Sequence, residues 1–226
     1  MKIPTLHIPD GFISAPVSLL FLVISGFFVF LALRGAKKQL DEKVAPLAGL
    51  AAVFIFAMQM INFPVAAGTS GHLIGGALAA ILIGPWAGVL AVTVVLIVQA
   101  LVFADGGLTA IGLNVFIMSV LATLGAWYLF RLFQKIFPKN RIGFLTATAI
   151  ASYLSVPISA LGFTFQFALG GTAAITLDKV LIAMVGVHSV IGIGEAIITV
   201  LTISAVLSVR KDLVFGASKL KVSLVR

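Results

Sequence analysis

Two histidines stand where a transition metal could be held. His7 lies in Leu6-His7-Ile8-Pro9-Asp10-Gly11-Phe12, and His72 closes the Gly-rich run Gly68-Thr69-Ser70-Gly71-His72. Imidazole and amine nitrogens suit borderline metals such as nickel and cobalt, and four coplanar nitrogens suit Ni(II), Cu(II) or low-spin Co(II). If residue 6 carries the free amine, that amine, the amide nitrogen of His7 and the His7 imidazole close fused small chelate rings. His72 then supplies the fourth nitrogen. An amine on Met1 is too far from His7 to close such a ring. The reading therefore expects the working chain to begin at Leu6, through an alternative start codon or trimming, which would also remove Lys2. Without further partners, the same two residues are an exposed loop histidine and a helix-start histidine bonded to backbone.

Glu195, in Gly192-Ile193-Gly194-Glu195, sits inside an apolar run, where an ionisable side chain is costly and so is paired or functional. His188 is seven residues earlier, two helical turns along the same face. The pair either lines an inward path for an ion or joins helices in a polar network. Asp105, in Asp105-Gly106-Gly107, falls in a turn on the same side as His7 and His72, and both it and Ser70 are candidates to support the metal ligands or line the ion's path. Gln59, Asn62, Gln99 and Asn114 read mainly as interhelical hydrogen-bond partners, with Asn62, just before Pro64, the best placed to support a metal ligand. Ser70 suggests a different chemistry. Gly68-Thr69-Ser70-Gly71 resembles the Gly-x-Ser-Gly of rhomboid intramembrane proteases, with His188 as the base a serine nucleophile needs. Against it, the spacing from His188 to Gly192 is off by one and the Trp-Arg loop motif is missing.

The scaffold for these residues is a membrane domain. Of 226 residues 61% are hydrophobic and 10% charged, and the mean hydropathy is +1.23, whereas soluble domains are roughly 45–50% apolar and about 25% charged. Apolar segments at 14–33, 45–63, 72–83, 86–104, 108–130, 142–169 and 179–209 predict an all-α protein of about seven transmembrane helices. The third is short, rich in Gly and Ala, and ends at Gly84-Pro85, which suggests a segment packed inside protein. Gly71/Gly75 and Gly84/Gly88 have the spacing of tight helix packing. There is no cysteine, hence no disulfide or thiolate site. The net charge of +8 points to topology rather than nucleic acid. Arg34, Lys37, Lys38 and Lys43, then Arg131, Lys135, Lys139 and Arg141, then Arg210, Lys211, Lys219, Lys221 and Arg226 all fall on one side if seven segments cross. The positive-inside rule makes that side cytoplasmic and puts the N-terminus outside. The expected organisation is one integral-membrane metal-binding domain, 1–209, and a basic cytoplasmic tail, 210–226, that is interfacial or disordered.

The motifs together closely resemble the CbiM/NikM family, the substrate-binding S components of energy-coupling factor (ECF) transporters for cobalt or nickel. The resemblance spans Leu6 to about Val209 and rests on His7-Ile8-Pro9-Asp10-Gly11-Phe12, Met58-Gln59-Met60-Ile61-Asn62-Phe63-Pro64-Val65, Gly68-Thr69-Ser70-Gly71-His72-Leu73 and Gly84-Pro85-Trp86. Gln99-Ala100-Leu101, Asp105-Gly106-Gly107-Leu108, Gly112-Leu113-Asn114-Val115-Phe116, His188 and Ile191-Gly192-Ile193-Gly194-Glu195 complete it. It implies a seven-helix fold with an outward N-terminus and a Co2+ or Ni2+ substrate, with no cofactor. The metal would be bound by Leu6 (as terminal amine), His7 and His72. It implies a transmembrane coupling subunit, cytoplasmic ABC-type ATPase subunits and a small auxiliary membrane subunit as partners. ATP hydrolysis is expected on those partners, because no Gly-x-x-x-x-Gly-Lys-Ser/Thr occurs here. Two other readings are a stand-alone metal permease and an intramembrane protease using Ser70 and His188.

Overall fold

A computed structural model describes residues 7–39, 44–64 and 70–218. Among these residues seven helices run in chain order: α1 (Ala15–Ala36), α2 (Val44–Gln59), α3 (Gly76–Ile83), α4 (Pro85–Val102), α5 (Ile111–Ile136), α6 (Arg141–Gly170) and α7 (Leu177–Val209). Five of them, α1, α4, α5, α6 and α7, are long and apolar enough to cross a bilayer, and α2 is a shorter apolar helix. The lipid-facing surfaces are plain from exposure: Leu19, Val23, Phe27 and Leu33 on α1 and Ile182, Val190, Ile197 and Leu201 on α7 all point outward. By contrast α4 and α5 are mostly buried.

The short helix is the centre of the molecule. All eight residues of α3 are buried, and α2, α4, α5, α6 and α7 all pack on it. At 1.5 Å per residue it is about 12 Å long, far short of the roughly 30 Å of hydrocarbon. Lipid provides no hydrophobic drive between helices, so close packing of small residues must hold them. Gly88 approaches the α3 backbone at Ala79 and Ala80 so closely that a Cβ would press on it at 3.1 Å.

Three boundaries differ from the hydropathy reading by four residues or more. The second span ends at Gln59 rather than residue 63, because Asn62–Pro64 leaves the helix as strand β1 and pairs antiparallel with β2 (Ser70–His72). Pro64 has no N–H to continue a helix and drives Phe63 to extended backbone. The third helix begins at Gly76, not residue 72, after a left-handed turn at Gly75 (φ 78°), where a side chain would also strike Ile55. The fifth continues to Ile136 although charge enters at Arg131, since its final turns keep an apolar face, with Phe130 buried and Phe133 against the core.

Two helices are locally irregular. Val115–Leu121 of α5 is π-helical. Thr93 of α4 and Ser119 of α5 share a hydrogen bond of 2.9 Å there, and Ser119 also donates to the Val89 carbonyl. In α6, Pro157 cannot donate to the Tyr153 carbonyl, and Gly192 of α7 packs against that freed oxygen. The tail also departs from expectation. Residues after Val209 fold back in two 3-10 turns, Lys211–Leu213 and Phe215–Ala217, with Val214, Gly216 and Ala217 buried. Phe215 meets the Trp127 ring at 5.4 Å and Gly216 sits over Phe130 and Ile81. An apolar Val-Phe-Gly-Ala stretch within the basic tail is what buries itself there.

Candidate metal site

The segment from His7 to Ser14 is threaded into the end of the bundle. Asn114, on α5, grips it from both sides: its Oδ1 accepts from Ile8 N at 3.0 Å and its Nδ2 donates to Ile8 O at 3.2 Å. Gly107 N donates to the same carbonyl at 2.9 Å. Asp10 Oδ1 accepts from Thr109 N and from the Thr109 hydroxyl, which, as the first cause, holds its carboxyl below the usual range. Further along, Ile13 bridges Gly171, Ser14 N donates to Gly170 O, and Phe12 packs on Phe163 and Phe167 of α6.

This thread and the hairpin bring the two histidines together. The rings of His7 and His72 lie edge to face with centroids 4.8 Å apart, and both residues are buried. His72 Nδ1 lies 2.7 Å from the Leu73 carbonyl. A carbonyl can only accept, so Nδ1 carries the proton and Nε2 keeps its lone pair. His7 Nδ1 lies 3.2 Å from the Asp105 carbonyl and 3.5 Å from the Asp105 carboxylate. Burial drives the His7 pKa down to about 4, the Asp105 backbone contact opposing. Burial and the neighbouring His7 drive that of His72 to about 3. Both rings are therefore neutral at physiological pH, the form that ligates metal.

The loop carrying Asp105 is tightly built. Asp105 N donates to the Gln99 carbonyl. Ala104 takes a left-handed φ of 51° and Gly106 one of 95°, and a side chain at 106 would press on the His7 Cβ at 2.9 Å. Strained backbone of this kind persists where the surroundings over-determine it, often beside functional groups.

Glu195 stands on the other side of the hairpin. Its two carboxylate oxygens accept from Ile74 N at 2.9 Å and Gly75 N at 2.8 Å. These are the amides directly after His72-Leu73, at the entrance to α3, so α7 caps α3 across space. Gln59 of α2 holds the Ile74 carbonyl at 2.8 Å. His188 Nδ1 donates back to the Met184 carbonyl at 2.7 Å. Asn62 pairs with His72 in the hairpin register, and Ser70 with Pro64. Leu6, with its amine, lies outside the described residues. Among the described residues no three His, Asp or Glu side chains converge to hold an ion.

Sequence reasoning passed over Asn114 as a general helix partner. Its clamp joins it to a residue 106 positions away, and only the cluster Gly112-Leu113-Asn114 hinted at it.

Five long apolar helices around a buried short one define a multi-pass membrane protein, and its relatives point to metal transport. The chain is similar to a protein of Haloquadratum walsbyi assigned to metal transport, 40% identical over 210 residues, covering 93% of this chain and 94% of the relative. It is similar to a fused nickel transport protein of Rhodobacter capsulatus, 38% identical over 121 residues, or 54% of this chain and 35% of that one. A crystal structure of a transition metal transporter superposes with a TM-score of 0.84 at 27% identity, over 96% of this chain and 100% of the other. Residues 7–213 match the CbiM family, described as the cobalt uptake substrate-specific transmembrane region, and the chain belongs to that family. It is a transport protein, the substrate-specific component of a cobalt/nickel uptake transporter, and not an enzyme. The protease reading of Ser70 and His188 and the stand-alone permease are set aside on this ground.

Proposed function

We propose that the chain captures Co2+ or Ni2+ on the outer face through His72 Nε2, the His7 imidazole, the His7 amide nitrogen and a terminal amine on residue 6. The observation that carries this is the edge-to-face pair of neutral imidazoles, one with its Nδ1 proton held by the Leu73 carbonyl so that Nε2 keeps its lone pair. Asp105 and Asn114 orient His7 and its strand, and Glu195 holds the start of α3 beneath His72. A His7 chelate that includes its own amide requires Nδ1, so the ring exchanges the Asp105 carbonyl for metal. His188 and Asn62 border the site, and Ser70 belongs to the hairpin.

In this reading all seven helices cross or penetrate the membrane, with the site end outside and the basic end cytoplasmic. Residues 1–209 form one membrane domain, and 210–226 form a basic cytoplasmic tail whose first part packs under the bundle. A membrane coupling subunit, two cytoplasmic ATPase subunits and a small auxiliary membrane subunit would reorient the loaded chain, so that the metal is released inward as the site distorts. The test is intact mass and N-terminal sequencing of the native protein with its metal quantified. A chain beginning at residue 6 with about one cobalt or nickel supports the ligand set. A chain that keeps residues 1–5 and still binds metal overturns the amine ligand.

A further inference from the structure

At the basic end, a cavity of about 320 Å3 opens between the last turns of α5 and the start of α6. Its walls include Arg131, Lys135 and Lys139, with Gln134, and its apolar lining includes Pro138 and Phe144. No carboxylate lines it, and the Arg210–Asp212 ion pair lies elsewhere. The fourth cation of this turn is engaged elsewhere: Arg141 donates to the hydroxyls of Ser204 and Ser208 on α7. Arg131 is braced across the face of Trp127 at 5.6 Å. Three cations around one concavity with no counter-charge concentrate anions, and an arginine fork with flanking ammonium groups suits a phosphate.

We propose that this cavity binds the phosphate of an anionic phospholipid. The shared chemistry is a phosphate oxyanion, and the surroundings choose its source. Exposed Leu132, Ile136 and Ile142 flank the basic residues in sequence, a surface suited to acyl chains and of no use to a soluble ion. The volume falls in the range of about 300–1,000 Å3 typical of small-ligand sites and exceeds what bare phosphate needs. Basic pockets between helices at the cytoplasmic surface recognise lipid head groups by this combination. The inference needs only the membrane-crossing fold and not the ligand set proposed for the metal.

The full-length chain, purified in neutral detergent, would be titrated with phosphatidylglycerol, phosphatidylcholine and inorganic phosphate and read by native mass spectrometry. Phosphatidylglycerol should be retained at least about tenfold better than phosphatidylcholine, the equivalent of one decade in Kd. Retention should fall by a similar factor in K135Q/K139Q and survive in K135R/K139R, with metal binding and melting temperature unchanged in both. Equal retention of the two lipids overturns the proposal, as does undiminished retention in K135Q/K139Q. Displacement by millimolar inorganic phosphate makes it a soluble-anion site and overturns the lipid assignment. If the co-purified coupling subunit displaces the lipid and shields Lys135 and Lys139 from acetylation, the surface is a protein interface and the proposal falls.

Discussion

His72 commits one ring nitrogen to the Leu73 carbonyl and leaves the other with its lone pair, and the proposed metal site sets the predictions at residue scale. His72→Ala and His7→Ala should each weaken cobalt or nickel binding at least about 100-fold, beyond the 10–100-fold typical of supporting partners, as read by equilibrium dialysis. Asn114→Ala leaves the buried Ile8 amide without its acceptor, at a cost of about 1–3 kcal/mol. The strand should loosen, metal affinity should fall about 5- to 100-fold, and the first residues should become open to limited proteolysis. The pH dependence discriminates between ligand sets. With pKa values of about 4 and 3, the imidazoles already lack the competing proton at pH 5.5 and add no slope above it. A terminal amine of pKa about 7.7–8.0 and a backbone amide must each lose a proton to ligate. The logarithm of the binding constant should therefore rise by about 1–2 per pH unit between pH 5.5 and 7.5; a flat profile would exclude both nitrogens.

At the scale of elements, the site rests on the junction between hairpin and α3. Glu195 offers two acceptors to two adjacent amides, a pair that a carboxylate presents and an amide side chain does not. In Glu195→Gln the amide group turns a donor toward one of those N–H groups. Unpairing one buried amide costs about 1–3 kcal/mol, so the protein should melt lower and release metal faster, with association little changed, in stopped-flow displacement. The long helices were legible from runs of apolar residues, and Gly84-Pro85 marked the end of α3. The hairpin was not, because Ile61, Phe63 and Val65 continue the apolar run that Pro64 breaks geometrically. Nor was the π-helical stretch of α5, whose shifted hydrogen bonds leave hydropathy unchanged. Pairing a carboxylate at 195 with amides 74 and 75 needs the tertiary fold, so sequence spacing offered Glu195 only His188 as a companion.

At the scale of the molecule, charge and chemistry separate to opposite ends. Loops bearing His7, His72, Asp105 and Gly171 meet at one end, while Gln39 of the first basic loop caps α4 at the other, accepting from Trp86 N and Ala87 N. The chain has no cysteine, so single introduced thiols report topology cleanly. Ala174→Cys should react with an impermeant maleimide in intact cells, and Lys139→Cys only after permeabilisation. The reverse pattern would invert the orientation.

The threaded strand also fixes an order of events during synthesis. His7 to Ser14 find their partners at Gly107, Thr109, Asn114, Gly170 and Thr172, residues made long afterwards. At about 5–20 residues per second, the earliest-made segment waits on the order of ten to thirty seconds for its last contact to be translated. Its contacts at Gly107, Thr109 and Asn114 become available first, and those at Gly170 and Thr172 later still. The first part of the protein to be made is thus among the last to settle, its final contact being available only once α7 is next in line for insertion.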